Sequence, residues 1–312
     1  MLMALGLLVL GFVLLVKGAD WFVAGAADIA RRLGIPQLIV GLTIVAMGTS
    51  MPEAAVSIAA ALQGSADITV GNVLGSNIVN ILIILGLTAV ITRVEIQEST
   101  LRYEIPFMMV ATVLLLVLGY TGYSITFVEG VVLWALFLLF LGYLFRSAKS
   151  GKGEDEADAE EKSEAMSVAR CLLYMVVGGF LVVKGSDFAV MGASDIARFF
   201  GISERIIGLT IVALGTSLPE LVTSVTAARR GDAGIAIGNI VGSNVFNILF
   251  VLSTTALIVD VPFAPAFMVD MGVAIASGVI LWAGAYMYRG LNRTVGAVML
   301  VAYGIYFVYL CL

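Results

Sequence analysis

Residues 41 to 57 read GLTIVAMGTSMPEAAVS, and residues 208 to 224 read GLTIVALGTSLPELVTS. Each sets a Gly-Thr-Ser-x-Pro-Glu cluster inside an apolar run. Proline has no N–H, so Pro52 cannot donate to the carbonyl of Gly48, nor Pro219 to that of Gly215. Glycine and proline together should break each helix near its middle and leave carbonyl oxygens facing inward. Irregular backbone at membrane depth persists only where it lines a cavity or is buried in protein. Glu53 follows Thr49 by four residues, the spacing of one helical face. Carboxylate, hydroxyl and freed carbonyl then make a compact set of oxygens.

The repetition extends well beyond the cluster. A constant offset of 167 carries Lys17 to Lys184, Asp20 to Asp187, Asp28 to Asp195, Glu53 to Glu220 and Asn80 to Asn247. No gap is needed, and more than half the positions from 17 to 80 are identical, so the chain is an internal duplication. Between the copies lies SAKSGKGEDEADAEEKSEAMS, residues 147–167, polar and acidic. The reading divides the chain into repeat 1–146, linker 147–167 and repeat 168–312.

Of the 312 residues, 61% are hydrophobic and 12% charged, with a mean hydropathy of +1.07. A soluble domain carries about 25% charged residues, so the chain reads as an integral membrane protein. The first apolar run has no basic leader or small-residue cleavage site and reads as a retained helix. Each half has room for five spans: 2–32, 36–62, 68–92, 101–120 and 125–146, then 168–199, 203–229, 235–259, 263–288 and 294–311. An odd number per copy turns the second copy over in the membrane. With the N-terminus outside, thirteen lysines and arginines fall on the cytoplasmic side and only Arg198 and Arg205 outside, leaving Lys17 and Lys184 within spans. The expected fold is all-α: ten transmembrane helices in two inverted five-helix repeats, helices 2 and 7 broken, both termini external and the linker cytoplasmic. Inverted repeats place a substrate site at the midplane between the halves.

The chain has no histidine and two cysteines, which removes histidine general bases and soft-metal sites and leaves oxygen ligands. Cys171 and Cys311 lie far apart in apolar segments and read as buried thiols. A membrane-embedded carboxylate costs at least about 2.5–3.5 kcal/mol, so Glu53 and Glu220 call for a positive partner. Lys17 or Lys184, or protonation, is the plain alternative to a bound cation. A second repeated motif, GNVLGSNIVN (71–80) and GNIVGSNVFN (238–247), spaces Asn72, Ser76 and Asn80 by four, as it does Asn239, Ser243 and Asn247. Such residues either glue helices together or ligate. Gly71 and Gly75 would let another backbone approach. Two carboxylates with hydroxyl, amide and carbonyl oxygens describe a hard-cation site of charge −2, matching one Ca2+ or two Na+.

Through GTSMPE with GNVLGSNIVN, and GTSLPE with GNIVGSNVFN, the sequence resembles the cation/calcium exchanger superfamily. Within it, the resemblance is to compact prokaryotic sodium/calcium exchangers. It implies Na+/Ca2+ antiport, with cation sites among helices 2, 3, 7 and 8 and alternating access by sliding of helices 1 and 6. Carried onto this chain, Glu53 and Glu220 are the shared Ca2+/Na+ ligands, joined by the backbone carbonyls of Thr49 and Thr216. Ser50, Ser76, Ser217 and Ser243, with the carbonyls of Ala46 and Ala213, are flanking Na+ ligands, and Asn80 and Asn247 form the central polar pair. Some relatives carry aspartate where Asn247 stands, and its absence argues against potassium co-transport. Calcium/proton exchangers carry GN-x-x-E where this chain reads GNVLG and GNIVG.

A Ca2+/H+ antiporter is the nearest alternative, and a cation channel with the acids as a selectivity ring is one of another class. An enzyme lacks the residues it would need. Asp20, Asp28, Asp187 and Asp195 gate ions or simply meet interfacial water. Trp21, Trp134 and Trp282 suit interfaces or packing. The linker lacks the ligand spacing of an EF-hand. The implied partners are Ca2+, Na+ and the lipid bilayer, with no resident cofactor, no nucleic acid and no obligate protein partner.

Overall fold

The computed structural model describes residues 1–150, 166–201 and 213–311. Most of the expected linker and residues 202–212 of the expected seventh span lie outside the described residues, as do the side chains of Ala213 and Cys311. The first copy comprises α1 (Leu2–Leu33), α2 (Gln37–Thr49), α3 (Met51–Leu62), α4 (Asp67–Ile91), α5 (Thr100–Gly122) and α6 (Phe127–Ser150). The second comprises α7 (Val168–Phe199), α8 (Ala213–Thr216), α9 (Leu218–Arg229), α10 (Ala233–Ile258), α11 (Phe267–Tyr288) and α12 (Arg293–Cys311). Among the described residues eight helices are long and apolar enough to cross a membrane, or nine with the bent pair α2–α3 counted as one span.

Where the residues are described, expected boundaries hold to within a few residues, with one extension; the expected start at 203 lies outside them. α6 continues to Ser150, past the expected end at 146, so the linker begins as helix. Lys149 Nζ sits 4.6 Å from the Phe145 ring, an i,i+4 contact that suits the added turn.

The all-helical expectation missed two short ladders. β1 (Val94–Glu95) pairs antiparallel with β4 (Gly290–Leu291), and β2 (Ser124–Ile125) with β3 (Val261–Pro262). Both join a loop of one copy to a loop of the other. The loop between α4 and α5 meets the loop between α11 and α12, while the loop between α5 and α6 meets the one between α10 and α11. Non-equivalent loops therefore lie at the same end of the bundle.

α10 is buried at every position from Ile235 to Phe246, its polar Asn239, Ser243 and Asn244 included. α1 and α7 lie at the periphery and run antiparallel along a glycine seam. Gly11, Gly18 and Gly25 face Gly185, Gly178 and Cys171, a spacing of seven on both helices. A Cβ at Gly18 would come within 2.8 Å of the Gly178 carbonyl oxygen, and one at Gly178 within 2.5 Å of the Phe22 nitrogen. Lipid supplies no hydrophobic drive between helices, so this backbone-to-backbone approach is what joins them.

Candidate cation site

α2 ends at Thr49 and α3 begins at Met51, at a bend of 45°. Ser50 between them has φ −86° and ψ 10°, and Ser217, between α8 and α9, has φ −89° and ψ 4°. Both copies break at the same residue in the same conformation. The prolines fall in the first turn of the next helix, where a missing N–H costs nothing. The expected inward carbonyl is not found in the second copy. The Gly215 carbonyl, which Pro219 frees, accepts a hydrogen bond from Ser186 of α7 at 2.6 Å.

Asparagines hold the acids in place. Asn72 Nδ2 donates to the Glu53 carbonyl at 3.1 Å and to Ser57 Oγ at 2.9 Å. Asn239 Nδ2 donates to the Glu220 carbonyl at 3.5 Å and to Ser224 Oγ at 2.9 Å. Each carboxylate then takes a hydroxyl from the opposite copy: Ser50 Oγ donates to Glu220 Oε1 at 2.8 Å, and Ser217 Oγ to Glu53 Oε1 at 3.5 Å. The acids are buried at 1% exposure each. Neither lysine neutralises them, since Lys184 bonds Asp187 at 2.9 Å and Lys17 is exposed.

α4 and α10 are joined through four asparagines. Asn77 Nδ2 donates to the Asn244 carbonyl at 3.1 Å and Asn244 Nδ2 to the Asn77 carbonyl at 3.2 Å. Asn80 Nδ2 donates to Asn244 Oδ1 at 2.9 Å, and Asn247 Nδ2 to Asn77 Oδ1 at 3.1 Å. Directly after these motifs both helices widen into π-helical turns, Asn80–Leu85 and Asn247–Leu252, a feature frequent at functional sites.

Glu53 Oε2, Glu220 Oε2, Asn80 Oδ1, Asn247 Oδ1 and Ser243 Oγ are buried without a hydrogen-bond partner. A buried acceptor left unpaired costs roughly 1–3 kcal/mol, more when charged, so five on the repeated motifs mark a place for something positive. The remaining expected residues divide. The Thr49 hydroxyl donates to Asn239 Oδ1 at 3.0 Å, with Ala46 O at 3.4 Å. The Ala46 carbonyl also accepts from the Ser50 N–H at 3.0 Å. Ser76 is buried on α4, and Thr216 is partly buried beside Glu53.

The four aspartates of the peripheral helices all take basic partners: Asp20 with Arg230, Asp28 with Arg31, Asp187 with Lys184 and Asp195 with Arg198. Trp134 Nε1 donates to Thr254 Oγ1 and Trp282 Nε1 to the Leu101 carbonyl, so each ties its helix to a neighbour. The close approach expected at Gly71 and Gly75 appears in the second copy, where a Cβ at Gly238 or Gly242 would lie 2.6 Å from a carbonyl oxygen of α2. Two features escaped the sequence reading. Ser186 carries no local signature. The heptad glycines of α1 and α7 do, in their spacing alone.

A family model described as sodium/calcium exchanger protein matches residues 3–146 and 171–312, one stretch per copy. The chain is 39% identical over 313 residues to the putative antiporter CaxA of Alkalimonas amylolytica, covering 97% of each chain. It is 31% identical over 311 residues to sodium/calcium exchanger MaX1 of Methanosarcina acetivorans, covering 88% of this chain and 87% of the relative. Among solved structures, the sodium-calcium exchanger NCX_Mj soaked with 2.5 mM Na+ and 0.1 mM Ca2+ superposes with a TM-score of 0.85 at 33% identity, covering 98% of each chain.

Proposed function

The chain belongs to the sodium/calcium exchanger family, and from that premise we propose that it is a secondary antiporter exchanging Na+ for Ca2+ by alternating access. The physiological direction we assign is Ca2+ extrusion. The observation that carries this reading is the set of five unpartnered buried oxygens on α3, α4, α9 and α10. All are acceptors. Glu53 and Glu220 bind either cargo, aided by the carbonyls of Thr49 and Thr216. Ser50, Ser76, Ser217 and Ser243, Asn80 and Asn247, and the carbonyls of Ala46 and Ala213 complete the Na+ and Ca2+ positions. The ions are cargo, and no cofactor takes part.

Ten spans are reached when α8 and α9 count as the counterpart of the bent pair. Two observations support inverted repeats: α1 runs antiparallel to its counterpart α7, and the short ladders join non-equivalent loops. Basic-residue placement supports external termini and a cytoplasmic linker. A cation neutralises the glutamate pair and lets the site change sides. Two bare carboxylates oppose the change, which enforces exchange over leak.

The test is 45Ca2+ uptake into Na+-loaded proteoliposomes diluted into Na+-free buffer at equal pH. Uptake should vanish when choline replaces internal Na+. Uptake indifferent to Na+ but driven by a pH gradient would make the protein a Ca2+/H+ antiporter, and uptake without any counter-ion would make it a channel.

A further inference from the structure

Asn77 and Asn244 carry no cation in the reading above, yet their hydrogen bonds decide how the site is wired. Each gives its Nδ2 to the other's main-chain carbonyl, at 3.1 and 3.2 Å. A carbonyl accepts and never donates, so each amide must turn its nitrogen that way and its Oδ1 the other. Those Oδ1 atoms then receive Asn247 Nδ2 at 3.1 Å and Asn80 Nδ2 at 2.9 Å. With their nitrogens committed, Asn80 and Asn247 have only Oδ1 left, and both Oδ1 atoms are buried and unpartnered.

We propose that Asn77 and Asn244 are positioning residues that fix the amide orientation of Asn247 and Asn80, so that the centre of the site presents oxygen only. Flipping Asn247 would set its Oδ1 against the Oδ1 of Asn77 and aim an NH2 group at the cation, two repulsions from one rotation. Each bracket spans the two copies, so each half of the chain orients the ligand of the other. The proposal rests on the cation reading of the site.

A carboxylate has two equivalent oxygens and no orientation to lose, which gives a rescue test. N77A frees the Asn247 amide and should raise the half-saturating Ca2+ concentration about tenfold, the scale of one hydrogen bond to a charged group. N77A/N247D should return to within about threefold of N247D alone, because nothing remains to flip. N244A with N80D should repeat the cycle. Equal impairment of N77A in the Asn247 and N247D backgrounds would reduce the bracket to packing and overturn the proposal, as would an N77A protein with unchanged affinity. Should the alanine variants not fold, 15N-asparagine labelling of the unaltered protein decides. The side-chain NH2 protons of Asn80 and Asn247 should be protected from solvent exchange without any cation, and free exchange would overturn the bracket. If the protein bound no Ca2+ at all, the cation reading would fall, while this protection would still judge the bracket separately.

Discussion

The two copies of the repeat agree at the centre and differ at the rim. At the centre, Asn72 and Asn239 brace the two glutamate carbonyls, Ser50 and Ser217 reach across to the opposite acids, and the four asparagines pair in mirrored fashion. At the rim, Arg230 of the second copy pairs with Asp20 at 3.6 Å, and Asp232 takes Gln37 at 2.9 Å with Arg31 at 3.9 Å. The offset of 167 puts uncharged Gln63 and Ser65 where Arg230 and Asp232 stand, and Ala19 where Ser186 holds the broken helix. A cation held by Glu53 and Glu220 together would touch both halves at once, which accounts for a centre that keeps its symmetry. Each rim contact serves one face of the bundle, and there the copies have diverged.

The largest effect tests the symmetric centre. E53Q and E220Q should each lower Ca2+ exchange by more than about a hundredfold, since removing one partner of a buried charge pair costs about 3–5 kcal/mol. Isothermal titration with Ca2+ would check it, and a large loss in only one variant would break the symmetry. Next come G18L and G178L, which drive a side chain into opposing backbone. Overpacking costs about 1–3 kcal/mol, to be read as a lowered thermal midpoint in nanodiscs. The two should match, because they face one contact from its two sides.

Smaller effects probe the rim. S186A removes the bond to the Gly215 carbonyl and makes the second copy resemble the first; the loss is about 1 kcal/mol of stability, measured the same way. An unchanged midpoint would make that bond incidental. R230Q should shift the conformational balance by less than about 1 kcal/mol, because both members of its pair are 41% exposed. Q63R offers Asp187 the arginine that Asp20 has, and should shift the balance the opposite way. Spin-label distances between α1 and α10 would register both. Shifts of the same sign would end the contrast between the two faces.

Much of this was legible in the residues. The offset of 167 needs only identity, the spans only hydropathy, and the Gly-Thr-Ser-x-Pro-Glu break only the chemistry of proline. The candidate oxygen ligands stood out because polar side chains cost too much in lipid to stand idle. Residues whose role depends on a partner far along the chain were not legible. From sequence Asn77 is as open to ligation as to helix packing, until Asn244, 167 positions away, is seen to answer it. Ser186 is unremarkable until the Gly215 carbonyl is placed above it, and two-residue ladders carry too little pattern to be read.

The peripheral pair has a further consequence, set by length. α1 and α7 contain 32 residues each. Such a helix is about 48 Å long, against about 30 Å of hydrocarbon. Because the glycines bind the pair backbone to backbone, any tilt that takes up the excess length is shared by both helices. The slant ties the position of the pair to the thickness of the membrane around it. Exchange measured in phosphatidylcholines of increasing acyl length should pass through an optimum, whereas a flat profile would show that the pair does not feel the bilayer. The lipid then acts as a setting on the exchanger, independent of either ion.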